Sequence, residues 1–383
     1  MPEPPLKVLL LAGAIQVRGS SAYTLNLTER LGRYEVDANL VCSNADVLKH
    51  CSHQQDRISV YPDLQVPIWR RIVLGALRRD LAQDPPDLIH VQSREMAWHG
   101  IWLSRALTVP YVLSVHDYLG PSEHLVYDLD WCQRVITISD SVRTELLART
   151  HLPEERVCVI SSGVDVDQQS EMLPVLDPDH VPVVGTACPL EAVKGLPFFL
   201  GAAQRVLERK AEAEFLIAGA GPEEASLRRL AQSLGIVKHV TFVPNVAEFA
   251  SALSAMDVFC LPSLRQGLGT VMFQAMAMGK PVIATSVGGV HRVLRDNQNG
   301  LLVAPSNSRM VAERILELLD DPERARMIGE AGRSLVRAEF SVEAMLRRTV
   351  DSYWSCLNGR AINGVQVAST GSPLRCRNSS AQK

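Results

Sequence analysis

The segment 265–279, RQGLGTVMFQAMAMG, places two glycines in a loop that leads directly into a helix. Glycine lets a ligand approach the backbone closely, and the first amides of a helix have no partner inside the helix. Because the helix dipole favours negative charge at that end, Gly267-Leu268-Gly269-Thr270 predicts a phosphate site. The alternative is that Gly269 only marks the residue at which the helix begins.

Two glutamines, Gln266 and Gln274, lie eight residues apart on either side of this loop. The helix that carries Gln274 is apolar nearly all round, which predicts a buried helix. A buried amide needs a polar partner, and a bound ligand and a core hydrogen bond explain Gln274 equally well.

His116 follows the apolar strand 111–115 at its carboxyl end, where ligands bind in parallel sheets. The alternative is a loop histidine whose hydrogen bonds are satisfied within the protein. Gly219-Ala220-Gly221 joins another strand to a helix and is compatible with a dinucleotide-binding oxidoreductase. Because Glu224 replaces the third glycine of that motif, the pattern favours a tight turn.

The composition fits a soluble globular protein of two domains, with 383 residues, 46% of them hydrophobic and 21% charged. The net charge of −3 gives no general attraction to nucleic acid. The eight cysteines are scattered without a CxxC pair, which indicates free thiols in a reducing compartment. No segment is apolar over the roughly 18 residues that span a bilayer. These features predict a cytoplasmic protein.

Short apolar strands alternate with helices in two consecutive series. Strands are predicted near 7–12, 36–42, 58–61, 88–92, 111–116, 134–138 and 156–161, and then near 182–187, 214–218, 240–243, 258–261 and 281–284. Helices are predicted near 20–33, 68–83, 95–107, 140–149, 196–209, 222–234, 269–279 and 307–319. Each series is typical of a doubly wound parallel sheet covered on both faces.

The polar, proline-rich segment 165–182 separates the two series as a linker. The pattern therefore predicts an α/β protein with two Rossmann-like domains facing a central cleft. The predicted domains are 1–170 and 182–340, followed by a terminal helix over 341–357 that returns to the first domain and a disordered tail over 358–383.

In this order, the motifs resemble the family 4 retaining glycosyltransferases of the GT-B fold (glycosyl transferases group 1) over nearly all of 6–357. That family has a glutamate followed, after seven residues, by a second glutamate that begins the sequence EAMAxGxPVIA. The corresponding residues here read Q-GLGTVMF-Q-AMAMGKPVIAT. Further matches are Lys194-Gly195 after a strand, Ser162-Gly163-Val164-Asp165, His116-Asp117 and Asn299-Gly300-Leu301-Leu302-Val303.

The resemblance implies a nucleotide diphosphate sugar as the donor substrate, bound against the second domain, with the first domain on the acceptor side. It implies that Lys194 neutralises the diphosphate and that the backbone amides of Leu268, Gly269 and Thr270 cradle it. Fixed donors of this kind also stabilise the charge that develops on the leaving diphosphate, so they would contribute to catalysis.

The resemblance also implies roles for residues outside the diphosphate site. Gln274 would contact the ribose, Gln266 and His116 would contact the donor sugar, and Gly19 of the first loop would contribute to donor binding. No cofactor is implied. Asp128-Leu129-Asp130 resembles the metal-binding DxD motif of the other glycosyltransferase fold. Because it precedes a strand instead of following one, we interpret it as a turn without a metal.

Five residues depart from the family pattern. Gln266 and Gln274 replace the two glutamates, and Pro189 replaces an arginine that lies five residues before the lysine. Arg18 replaces the first glycine of the first-loop pair, and Arg292 replaces an acidic residue. A neutral amide is a poor nucleophile, so a covalent route through Gln266 is closed. The remaining route is transfer on the same face of the sugar, with a donor phosphate oxygen taking the proton of the acceptor. The alternative function is a non-catalytic nucleotide-sugar-binding or scaffolding protein.

The segment 68–83, IWRRIVLGALRRDLAQ, combines apolar residues at helical spacing (Trp69, Ile72, Val73, Ala76 and Leu77) with arginines on another side. This combination suits peripheral contact with the inner face of a membrane, although a helix packed on its own domain has the same pattern. The resemblance implies a glycan, a lipid-linked molecule or a small molecule as the acceptor, and no nucleic acid.

Overall fold

The computed structural model describes residues 4–15, 20–45, 55–120, 122–166, 175–210, 212–244, 249–265, 269–357, 361–362 and 365–366. The chain divides into two compact units. The first comprises Met1–Ile138, Val142–Ile160 and Leu346–Lys383, and the second comprises Ser139–Ser141 and Ser161–Met345. Each unit contains its own parallel sheet.

Seven parallel strands form the sheet of the first unit: β1 (Leu6–Leu11), β2 (Val36–Cys42), β3 (Ile58–Val60), β4 (Leu88–Val91), β5 (Tyr111–Val115), β6 (Cys132–Thr137) and β7 (Val157–Val159). Their order across the sheet is β3-β2-β1-β4-β5-β6-β7. Every residue of β4 and β5 is buried, which fits central strands of a parallel sheet that is covered on both faces.

The helices of this region are α1 (Ser20–Arg30), α2 (Arg70–Leu81), α3 (Ala97–Leu107) and α4 (Asp140–Arg149). The connection after β1 leads to β2 on one side, and the connection after β4 leads to β5 on the other side. Where neighbouring parallel strands lead to opposite edges of a sheet, a crevice opens at their carboxyl ends. The strand order therefore places a crevice beyond β1 and β4.

Six parallel strands form the sheet of the second unit: β8 (Val183–Ala187), β9 (Glu214–Ala218), β10 (Val240–Val243), β11 (Val258–Leu261), β12 (Val282–Thr285) and β13 (Leu301–Val303). Their order is β10-β9-β8-β11-β12-β13. The helices are α5 (Leu196–Leu207), α6 (Glu224–Ser233), α7 (Ala250–Ser254), α8 (Thr270–Ala277), α9 (Val290–Val293), α10 (Ser308–Asp320) and α11 (Pro322–Glu339).

Helix α11 holds α8 in place. It begins at Asp321, whose side chain accepts a hydrogen bond from the amide of Arg324, and Pro322 occupies its first position. A Cβ atom on Gly329 would lie 2.0 Å from the backbone oxygen of Gly279, so only glycine allows the two segments to approach this closely. The helix that carries Gln274 is thereby fixed from one side.

The last helix, α12 (Val342–Leu357), starts in the second unit and belongs to the first unit from Leu346 onward. Its Tyr353 hydroxyl lies 2.6 Å from His90 Nδ1, and His90 Nε2 lies 2.8 Å from the Ser114 hydroxyl. Burial lowers the pKa of His90 to about 3, so this histidine is neutral and joins α12 to β4 and β5.

The two alternating series and the α/β class predicted from the sequence are confirmed, whereas the linker is shorter than predicted. Leu176 is buried, and its amide donates to Asp257 Oδ1 across 2.8 Å. His180 Nε2 lies 2.8 Å from the other oxygen of Asp257. The residues from 175 onward therefore pack on the second unit, and 167–174 lie outside the described residues.

The predicted disordered tail, 358–383, lies outside the described residues except for two short strands. These are β14 (Ala361–Ile362) and β15 (Val365–Gln366), which pair antiparallel. Among the described residues, no helix is both long enough and apolar enough to cross a membrane.

Candidate functional site

A polar cleft of about 230 Å³ occupies the crevice of the first unit. Its walls come from the loop after β1, the start of α1, and the segments that follow β4 and β5. The lining residues are Ala12, Gly13, Ala14, Ile15, Ser21, Thr24, Gln92, Ser93, Arg94, Glu95, His116 and Asp117. Of these residues, the sequence motifs include the pair His116-Asp117, and a binding role is predicted only for His116.

Gln92 connects three walls of the cleft. It is buried, its Oε1 accepts from the Thr24 hydroxyl across 3.1 Å, and its Nε2 donates to the backbone oxygen of His90 across 3.3 Å. The backbone oxygen of Gln92 accepts a hydrogen bond from His116. One side chain and its own carbonyl thus fix α1 and the ends of β4 and β5 relative to one another.

His116 has a defined orientation in the cleft. Its Nε2 lies 3.0 Å from the backbone oxygen of Gln92, which can only accept, so Nε2 carries the proton. Burial lowers the pKa of His116, although Asp117 and the bond to Gln92 act in the opposite direction. The neutral ring therefore offers Nδ1 as a hydrogen-bond acceptor. Such an acceptor suits a ligand hydroxyl.

The charged residues of the cleft are mixed in sign. Arg94 forms an ion pair with Glu123 across 3.0 Å and donates to the backbone oxygen of Tyr118 across 3.1 Å. Glu95 and Asp117 add two exposed carboxylates. With the arginine paired and hydroxyl, amide and carboxylate groups along the walls, the lining is suited to a polyhydroxylated ligand.

In the second unit, Lys194 ends a short turn between β8 and α5. The next residue, Gly195, has φ of +66°, and a Cβ atom there would lie 2.0 Å from the backbone oxygen of Pro262. The amide of Leu264 donates to the backbone oxygen of Val193 across 2.8 Å. The half-buried lysine therefore lies on a loop joined directly to the segment that follows β11 and leads toward α8.

Helix α8 presents its amino end beyond that segment. Gly269 is its N-cap and has no side chain to cap the helix. Gly269 accepts from the amides of Met272 and Phe273, while the amides of Thr270 and Val271 make no hydrogen bond to another described residue. Because free amides at a helix amino end attract anions, this end and the cationic Lys194 loop are both suited to phosphate.

Gln274 lies on a largely buried helix. Met272, Phe273, Ala275 and Met276 are buried, as the sequence predicts, and Gln274 is partly buried. Its side chain makes no hydrogen bond to another described residue. In the part of the chain that the structure describes, Gln274 has no partner for the predicted core hydrogen bond. Its contact with the ribose stays a prediction.

Three predicted site residues, Gly19, Gln266 and Leu268, lie outside the described residues, and their roles also stay predictions. The other glycine motif is explained by packing. A Cβ atom on Gly219 would lie 2.0 Å from the backbone oxygen of Cys188, and one on Gly221 would lie 2.4 Å from that of Leu190. These glycines allow two loops of the second unit to approach each other closely.

Asp128 has protein partners. One of its carboxylate oxygens accepts from the amide of Asp130 across 3.1 Å, and the other pairs with Arg105 at 2.6 Å. This arrangement is a side-chain-stabilised turn. Among the described residues, no group of three His, Cys, Asp or Glu side chains could hold a metal ion.

The chain matches two family models. The model described as Glycosyltransferase Family 4 matches residues 17–168, and the model described as Glycosyl transferases group 1 matches residues 174–335. The phosphatidyl-myo-inositol mannosyltransferase of Mycobacterium leprae is 30% identical over 288 residues, which is 71% of this chain and 75% of the relative. The alpha-D-kanosaminyltransferase of Streptomyces kanamyceticus is 28% identical over 274 residues, 65% of this chain and 71% of the relative.

A solved structure of HepE from Anabaena in complex with UDP has the same fold. Its TM-score is 0.77 at 19% identity, and the match covers 91% of this chain and all of that chain (100%). The chain belongs to the family 4 glycosyltransferases and has the GT-B fold. It is a glycosyltransferase of a class that uses nucleotide sugars.

Proposed function

We propose that the protein transfers a sugar from a nucleoside diphosphate sugar to a hydroxyl group of an acceptor, with retention of anomeric configuration. The observation that carries the proposal is the junction in the second unit between Val193 and Leu264. It joins the loop of Lys194 to the segment that leads to the amino end of α8. A cation and helix amides that bond to no described residue suit a diphosphate, which is the leaving group of this reaction.

Retention is proposed from membership of family 4, which the sequence motifs resemble as a retaining family, and the altered position limits the route. Gln266 has no carboxylate, so no covalent glycosyl intermediate forms on it. In the proposed step, the acceptor hydroxyl attacks the anomeric carbon on the face from which the diphosphate leaves. The bond from the anomeric carbon to the phosphate oxygen breaks, and that phosphate oxygen takes the proton of the acceptor. No metal ion is proposed, so chelation with EDTA should leave the rate unchanged.

We propose that the cleft around His116 holds the acceptor, in place of the donor-sugar contact that the resemblance implies for His116. Its hydrogen-bonding walls suit a glycan, the headgroup of a lipid-linked acceptor or a small polyol. Relatives named as GDP-mannose-dependent phosphatidylinositol monomannoside mannosyltransferases support a lipid-linked acceptor. A non-catalytic binding role is not favoured, because relatives that align with most of the chain are named as transferases.

The test is the release of nucleoside diphosphate when the full chain is mixed with a panel of nucleotide sugars and candidate acceptors. The matched pair is the wild type and Lys194→Ala, with the melting temperature measured for every donor, since specific binding raises apparent stability. Release that requires both substrates supports transfer, and NMR of the product decides the anomeric configuration. Donor-dependent stabilisation without release from any acceptor would instead support the binding role.

A further inference from the structure

An exposed apolar cluster lies at the start of α2 in the first unit. Ile68 is 82% exposed, Trp69 is 53% exposed and Ile72 is 65% exposed. Single exposed apolar residues are common on protein surfaces and need no explanation. Three large ones within five residues form a local patch of the kind that marks an interaction site.

The core of the first unit does not use these side chains. Leu74 and Leu77 are buried and belong to the core cluster. At 100° per residue, Ile72 lies nearly opposite Leu74 on the helix. The sequence pattern predicts one apolar stripe that contains Trp69, Ile72 and Leu77. That prediction is wrong for Leu77, which is buried in the core. The packing of α2 on its own domain therefore leaves the exposed cluster unexplained.

Three exposed arginines, Arg71, Arg78 and Arg79, accompany the cluster. Arg78 lies seven residues, or about two turns, after Arg71, and Arg79 lies seven residues after Ile72. Residues seven apart lie on the same side of a helix, so Arg78 and Arg79 extend the exposed side by two turns. None of the three forms an ion pair with another described residue. The remaining arginine of the helix, Arg70, stacks on Trp98 with its guanidinium carbon 4.2 Å from the ring centroid.

The basic character of this region is local. Residues 66–82 contain four arginines and one acidic residue, whereas the whole chain has a net charge of −3. The acidic residue, Asp80, accepts a hydrogen bond from the Tyr61 hydroxyl across 2.8 Å. A surface that joins exposed aliphatic and indole side chains to exposed guanidinium groups complements a bilayer with anionic headgroups.

We propose that the surface formed by Ile68, Trp69, Ile72, Arg71, Arg78 and Arg79, the α2 surface, docks on an anionic lipid bilayer. The three apolar side chains enter the interface between headgroups and acyl chains, where indole rings are favoured. The arginines contact lipid phosphates. This inference concerns binding to lipid and stands whether or not the protein transfers a sugar.

The experiment measures binding of the full chain to vesicles by co-sedimentation. One set of vesicles contains phosphatidylcholine alone and the other contains about one-third phosphatidylglycerol. We expect binding that rises with the anionic lipid and falls with added salt. Replacement of Arg71, Arg78 and Arg79 by glutamine should lower the partition coefficient by about fivefold per arginine on anionic vesicles. Replacement of Ile68, Trp69 and Ile72 by serine should lower it at least about tenfold.

Matched controls are available on the same unit. Val126 is 50% exposed and Arg348 is also exposed, and both lie away from α2 in the sequence. Val126→Ser and Arg348→Gln should bind vesicles like the wild type. Equal melting temperatures of the variants would show that all remain folded.

Fluorescence quenching by brominated lipid tests insertion directly. The chain has five tryptophans, and the proposal puts only Trp69 within reach of the bromines. Brominated vesicles should quench the wild type and leave Trp69→Phe unquenched. Equal sedimentation of wild type and serine variant, or equal losses in the controls, would overturn the proposal. A lower molecular mass in solution for the serine variant than for the wild type, measured without vesicles, would also overturn the proposal. The surface would then join two copies of the chain.

Discussion

His116 donates a hydrogen bond from Nε2 to the backbone oxygen of Gln92 across 3.0 Å, and this bond determines what the imidazole offers to a ligand. Since burial lowers the pKa of His116, the ring carries a single proton near neutral pH. That proton lies on Nε2, and Nδ1 has a free lone pair. The neutral ring can therefore accept a hydrogen bond at Nδ1 rather than act as a cation.

The first prediction separates the two nitrogens of His116. His116→Asn places an amide oxygen near the position of Nδ1, and His116→Gln retains a donor near the position of Nε2. If Nδ1 accepts from substrate, His116→Asn should keep more activity than His116→Gln, and His116→Ala should lower kcat/KM by about 10- to 100-fold. Steady-state kinetics with a fixed donor measure the series. A higher kcat/KM for His116→Gln than for His116→Asn would assign the functional role to Nε2.

The second prediction concerns Lys194. Because Pro189 occupies the position of the arginine in the family pattern, Lys194 is expected to be the main cation from its loop on the diphosphate. Lys194→Ala should weaken nucleotide-sugar binding by about 1.5–3 kcal/mol, as for a hydrogen bond to a charged group. Calorimetric titration measures the effect, and Lys238→Ala, at an exposed position of the same unit, is the control. An unchanged affinity for Lys194→Ala would remove this lysine from the donor site.

The third prediction couples two altered positions. We expect Gln266→Glu alone to weaken donor binding, because it adds a negative charge near the donor phosphates. Adding Pro189→Arg should partly restore binding by supplying a compensating cation. A double-mutant cycle of donor affinities measures the coupling. Additivity within about 0.5 kcal/mol would mean that the two substitutions are independent.

The fourth prediction concerns stability at acid pH. Burial lowers the pKa of His90 from 6.5 to about 3. Between these two pH values the histidine is protonated in the unfolded chain but stays neutral in the folded protein. Acid therefore favours unfolding, and His90 should remove roughly 2 kcal/mol of stability between pH 7 and pH 5. Urea unfolding at both pH values measures the loss.

The control for this effect is a comparison of two histidine substitutions. His90→Asn should show a smaller loss between pH 7 and pH 5 than the wild type, because the buried titrating group is gone. His151→Asn, at an exposed position, should behave like the wild type. Identical pH dependence in wild type and His90→Asn would assign the acid sensitivity to other groups.

The sequence predicted the strands well because parallel strands buried on both faces read as continuous apolar runs. It missed β13, which has only three residues, and α11, although Asp321-Pro322 is a recognisable helix start. The many charged residues of α11 obscured its apolar face. The partial exposure of Gln274 could not be predicted, because it depends on which sides of α8 are covered by α11 and the sheet.

The polar cleft of the first unit was largely missed for a related reason. Gln92, Ser93 and Arg94 directly follow a strand, and this pattern is visible in the sequence. Their meeting with the loop after β1, however, depends on β1 and β4 being neighbours. Pairing between strands so far apart in the chain is set by tertiary packing, and single-sequence patterns do not encode it.

The contact between Tyr353 and His90 has a consequence for how the protein is made. The residues of α12 that complete the core around β4 and β5 are synthesised after the whole second unit. Most of the first unit is synthesised first, and part of its apolar core therefore stays exposed until α12 has been synthesised and packs against it. Since exposed apolar surface in a nascent chain promotes aggregation, the last described helix also sets the length of that vulnerable period.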